Sequence, residues 1–70
     1  MLRQVVESQI VASVGYDWKT QLLEVEFRNG WIYEYQEVPA VVHEELMAAA
    51  SHGGYLKRMI VDRYVTHRLK

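Results

Sequence analysis

The chain is expected to be an α+β domain, a three-stranded antiparallel β-meander packed against two C-terminal α-helices. Three observations predict it. Leu23, Val25 and Phe27 alternate with polar residues up to Asn29-Gly30. Trp31, Tyr33 and Tyr35 alternate on the way out of that turn. Val38-Pro39 then opens a stretch whose apolar residues recur at helical spacing.

The first strand is expected over Gln9 to Tyr16. Ile10, Ala12, Val14 and Tyr16 alternate with Val11, Ser13 and Gly15, so both faces are fairly apolar and little of the strand meets water. Gly15 marks a bulge or a close backbone approach. Asp17-Trp18-Lys19-Thr20 reads as a turn, Gln21 to Arg28 as the second strand and Trp31 to Gln36 as the third. Two hairpin registers compete. A two-residue Asn29-Gly30 loop puts Tyr33 and Tyr35 opposite Glu26 and Glu24. A three-residue Arg28-Asn29-Gly30 loop, with Gly30 left-handed, pairs Phe27 with Trp31, Val25 with Tyr33 and Leu23 with Tyr35. The second gathers six apolar or aromatic side chains on one face, at about 1.5–3 kcal/mol each when fully buried. It is preferred even though Glu24 then faces Glu34.

Pro39 suits a first helical turn, where its missing N–H costs nothing. Val38, Val42, Leu46 and Ala49 form the buried stripe, Glu44 points to solvent, and Glu37 adds negative charge at the N-terminus. Gly53-Gly54 is read as the end of this helix. A shorter helix is expected from Tyr55 to about Arg63, buried through Leu56, Met59 and Ile60, with Tyr64 to Lys70 a tail or short terminal element. Residues 1–70 make a single domain whose core spans about 8–64.

Half the residues are hydrophobic and 24% are charged, a globular rather than disordered composition. There is no cysteine, so no disulfide or thiolate metal site supports so short a chain. The first residues lack a signal-peptide core and no run approaches a membrane span, so a cytoplasmic location is expected. The net charge of −1 hides an asymmetry. Residues 1–51 carry three cations against eight carboxylates, a net −5; residues 52–70 carry five cations against one carboxylate, a net +4. Part of that basic end is explained by cations gathering near a helix C-terminus.

Ser8, Gly15-Tyr16-Asp17, Leu23, Val25, Phe27, Gly30, Tyr33-Glu34-Tyr35, Val38-Pro39, Gly53-Gly54-Tyr55, Ile60 and Tyr64 stand in an order and spacing that resembles the KTSC domain family. The resemblance covers roughly residues 8–69. Gly30, Tyr33, Tyr35 and Pro39 are its structural signature. Leu56 and Lys57 replace an expected aromatic and asparagine, and Val65 stands where a proline often does. The family is named from the C-terminus of some lysyl-tRNA synthetases and has stand-alone bacterial and phage members. The resemblance implies RNA binding, suggested by the synthetase context.

The residues themselves argue against catalysis. Ser8, Ser13 and Ser51 have no nucleophile-elbow motif around them. His43-Glu44-Glu45-Leu46-Met47 has a methionine where a zincin needs its second histidine. Glu24, Glu26 and Glu34 read as a solvated acidic face. No catalytic residue, metal site, cofactor or small-molecule substrate is expected. Tyr33 and Tyr35 have two readings, a core seam or a base-stacking platform, of which the core is preferred.

Two binding functions remain. In the first, Gly53 and Gly54 offer free N–H groups at a helix start, and Lys57, Arg58, Arg63, Arg68 and Lys70 extend them into a strip that contacts RNA. In the second, Trp18, Ile32 and Met47 are exposed anchors for a protein of the transcription or translation machinery. A phage-type regulator of host RNA polymerase belongs to that class.

Overall fold

Seven elements follow one another along residues 1–70 of the computed structural model: β1 (Arg3–Val5), β2 (Val11–Asp17), β3 (Leu22–Phe27), β4 (Ile32–Tyr35), α1 (Ala40–Ala48), α2 (His52–Met59) and β5 (Thr66–Arg68). The strands form one antiparallel sheet in the order β1-β2-β3-β4-β5. The expected α+β class and two helices are present, but the sheet has five strands rather than three. The additional strands cover the two edges of the meander. A bare edge presents unpaired backbone N–H and C=O groups, and Arg3–Val5 and Thr66–Arg68 each pair with one of them.

The central hairpin takes the three-residue loop. Leu23 pairs with Tyr35, Glu24 with Glu34 and Val25 with Tyr33. Phe27 N–H donates to Trp31 O at 2.8 Å, and Gly30, at φ +92°, donates to Phe27 O. In β2 the register slips between Val11, opposite Phe27, and Ser13, opposite Glu26. The irregularity therefore falls at Ala12, not Gly15, and lets Val11 enter the core while Ser13 reaches the other face. Gly15 is the close approach: a Cβ there would sit 2.9 Å from the Leu2 carbonyl oxygen and the Arg3 side chain.

One face of the sheet carries the core. Val14, Leu23, Val25 and Tyr35 join Val38, Leu46, Tyr55, Leu56 and Ile60 in a single buried cluster. Val38 N–H donates to Gln21 O, and Pro39 sits at the N-cap of α1, one position before the expected first turn. The Val38, Val42, Leu46, Ala49 stripe holds.

The second helix needs correction. Gly53 and Gly54 do not end α1; they lie in the first turn of α2, whose N-cap is Ser51. The buried stripe runs through Gly53, Leu56 and Ile60, so Met59 is 40% exposed instead of core. The helix stops at Met59 rather than near Arg63, and Asp62, at φ 65°, holds a left-handed conformation that no helix continues. The chain then reverses into β5.

Candidate nucleic-acid interface

The two glycines are spent on packing and capping. Gly53 is buried, and a Cβ there would meet Ile10 Cδ1 at 3.0 Å. Gly54 N–H donates to the Ser51 hydroxyl at 3.0 Å. The cleft beside them, about 240 Å³, is lined by Glu7, Ser8, Gln9, Ile10 and residues 50–53, and contains a carboxylate but no lysine or arginine. The expected anion cradle at Gly53-Gly54 is therefore corrected: a negative charge would meet Glu7, and one of the supposed free donors already has its acceptor.

The five cations divide into two groups. Lys57 and Arg58 stand in the last turns of α2, where the helix dipole favours positive charge. Arg63 returns to them across the Asp62 turn and donates from Nε to Arg58 O at 3.0 Å. Arg68 lies in β5 opposite Tyr33. Its guanidinium carbon is 3.6 Å from the centre of the Trp31 ring, which is 42% exposed. Lys70 is held alongside, its carbonyl accepting from Ile32 N–H at 2.8 Å.

Trp31 is the residue that sequence reasoning passed over. It stands edge-on to Tyr33 at 6.0 Å between centroids, and Tyr33 stands edge-on to Phe27 at 5.6 Å. This aromatic row begins in the core and ends in solvent at Trp31 with a planar cation across it. The preferred register already placed Trp31 on the same face as Tyr33; what the sequence lacked was the fifth strand that brings Arg68 over it. Tyr35, by contrast, is only 3% exposed, and burial first, then the neighbouring Tyr33 and Asp62, push its hydroxyl up to about 12. It belongs to the core and offers no stacking surface.

The three proposed protein anchors fare unequally. Trp18 is 72% exposed in its turn, with Lys19 Nζ 5.9 Å from the ring centre. Ile32 is only half-buried, opposite Glu26 on the sheet face away from the helices. Met47 is corrected: it is half-buried and packs against the core, so it is not an exposed anchor.

The groups that resemble catalytic parts are occupied structurally. The Ser8 hydroxyl accepts from the N–H groups of Ile10 and Val11. Ser13 donates to Glu26 and Ser51 caps α2. His43 stacks on Tyr16 at 4.6 Å with the rings 8° from parallel, and burial lowers its pKa. No three His, Asp or Glu side chains converge as a metal site requires. No helix is long and apolar enough to cross a membrane.

Comparison with known proteins connects this architecture to a family. The model of the KTSC domain matches residues 7–64. A protein of Tsukamurella paurometabola is 38% identical over 61 residues, covering 87% of this chain and 91% of the relative. A lysine–tRNA ligase of Nostoc punctiforme is 35% identical over 63 residues; the match covers 90% of this chain and only 11% of the ligase. The crystal structure of a KTSC domain protein from Yersinia pestis superposes with a TM-score of 0.94 at 33% identity, covering 99% of this chain and 97% of that one.

Proposed function

We propose that this chain, which belongs to the KTSC domain family, is a non-catalytic module that contacts single-stranded RNA through Trp31 and the cations of its C-terminal segment. The observation that carries the reading is the Arg68 guanidinium laid over the half-exposed Trp31 ring. RNA-binding proteins stack unpaired bases on aromatic rings and on arginine planes alike. Here the two are superposed, so a base laid on the guanidinium continues a stack whose other members are already fixed. Lys70 lies beside that stack, and Lys57, Arg58 and Arg63 supply phosphate contacts. The opposite sheet face, with Glu24, Glu26 and Glu34, repels a phosphodiester chain. The occurrence of a similar segment within lysine–tRNA ligases supports an RNA setting.

The test is a titration of the full chain with a short single-stranded RNA at several salt concentrations, read by fluorescence anisotropy. Each phosphate neutralised on a single strand contributes about −0.7 to the slope of log K against log salt, so three or four contacts give roughly −2 to −3. Trp31→Ala is expected to cost about 1–3 kcal/mol of binding, and Arg68→Glu to weaken binding and flatten the slope. RNA affinity that is absent at low salt, or indifferent to both substitutions, overturns the reading.

A further inference from the structure

The sheet face turned away from the helices has no cover from within the chain. Arg3 on β1, Ser13 on β2, Glu24 and Glu26 on β3, and Ile32 and Glu34 on β4 are brought together there by the strand registers. Part of this face is internally satisfied. Arg3 pairs with Glu24 and donates to the Ser13 hydroxyl at 3.0 Å, and Ser13 donates to Glu26 at 2.8 Å. That chain sets one cation against two carboxylates and leaves an excess of negative charge. Glu34 lies opposite Glu24 on one side and His67 on the other.

At the turn end of this face a hollow of about 610 Å³ opens between Met1, Leu2, Tyr16, Asp17, Trp18, Glu24 and Glu34. Its lining combines three carboxylates with three exposed apolar side chains: Met1 at 54%, Leu2 at 96% and Trp18 at 72%. No lysine or arginine lines it. Lys19 is near, but its ammonium is over the Trp18 ring, and Arg3 is already bound to Glu24 and Ser13. Leaving Leu2 and Trp18 together in water is unfavourable, and their clustering beside unpaired negative charge selects for a particular occupant.

We propose that this hollow is a docking site for a basic segment of a partner protein, one lysine or arginine of which enters beside Trp18. Such a side chain matches the lining along its length. The alkyl stem lies against Met1 and Leu2, and the charged head reaches Glu34 and Asp17 with the indole beside it. Other occupants match less of it. A nucleic acid brings phosphates toward three carboxylates. A bare metal ion finds no converging set of three ligands. An acidic or purely apolar peptide offers no cation to Glu34, whereas Glu24 is paired with Arg3 and Asp17 accepts from the Lys19 and Thr20 N–H groups. The site is separate from the Trp31–Arg68 surface, so the two contacts are compatible in one molecule and succeed or fail independently.

The ¹⁵N-labelled full chain is titrated with a short acetylated peptide alternating leucine and arginine, and in parallel with its glutamate counterpart. The arginine peptide alone is expected to shift the amides of Leu2, Asp17, Glu24 and Glu34 and the indole N–H of Trp18. Trp18→Ala and Glu34→Gln, both at solvent-accessible positions, are each expected to weaken binding about three- to fivefold, the size of one exposed ion-pair or cation–π contact. Glu44→Gln, on the exposed side of α1, leaves the affinity unchanged and separates a built site from general attraction to an acidic surface. The proposal is overturned if neither peptide shifts these residues, or if the response centres on Trp31. It is equally overturned if all three variants weaken binding alike, or if the same face shifts with protein concentration before peptide is added, since the occupant is then a second copy.

Discussion

His43 shows how one side chain acquires a property that its type does not dictate. Its ring lies flat on Tyr16, whose hydroxyl donates to the Val38 carbonyl and so fixes the stacking partner. Burial disfavours the charged imidazolium, although Glu44 pulls the other way, and the net pKa is lowered. A base whose folded pKa is depressed contributes its full stability above the unfolded pKa of about 6.5 and loses it as pH falls. His43 is therefore expected to titrate below the ordinary histidine value of about 6.5. Following its imidazole proton shifts against pH checks this, and Tyr16→Ala brings His43 back toward that value.

At the scale of elements, what could be read depended on which forces place each one. The hairpin was legible because Phe27, Trp31 and Gly30 leave one register that puts all the large side chains on one face. The stripe of α1 was legible by spacing. The edge strands were not, because Arg-Gln-Val and Thr-His-Arg carry no apolar alternation and are wholly exposed; the edges of the meander recruit them. The start of α2 was missed for a related reason. Paired glycines signal a helix end, yet here Ser51 supplies the cap and Ile10 occupies the space a Cβ at Gly53 would need. Losing the cap leaves Gly54 N–H without its side-chain acceptor. Ser51→Ala is expected to cost about 1 kcal/mol, seen as a lower denaturant midpoint with an unchanged slope. The candidate interface was legible only as a charge asymmetry; the Arg68–Trp31 contact exists because β5 pairs with β4.

The whole molecule relies on tyrosine more than its size suggests. Tyr35 and Tyr55 are both buried and both titrate at about 12. For Tyr55, burial acts first and the hydrogen bond it donates to Glu45 at 2.7 Å adds to it. An unfolded tyrosine loses its proton near pH 10. Below that value neither state is ionised and the contribution is complete. From about pH 10 to about 12 the unfolded chain releases protons that the fold retains, so stability falls by up to about 1.4 kcal/mol per pH unit for each tyrosine. Thermal melting measured across this range should show a steepening decline, and Tyr55→Phe should make it shallower.

The order of the sheet also sets an order of events. β1 through β4 each lie beside their neighbour in sequence, so three short connections suffice to assemble them, and short loops close at little entropic cost. β5 is different. Both helices stand between it and β4 in the chain, so its pairing closes a much longer loop. The contact between Arg68 and Trp31 thus depends on the one strand pairing that spans both helices in the sequence. In a growing chain, a surface of this kind forms only once Thr66–Arg68 has been made and paired, and nascent copies shorter than that carry the fold's hairpin without the Trp31–Arg68 contact.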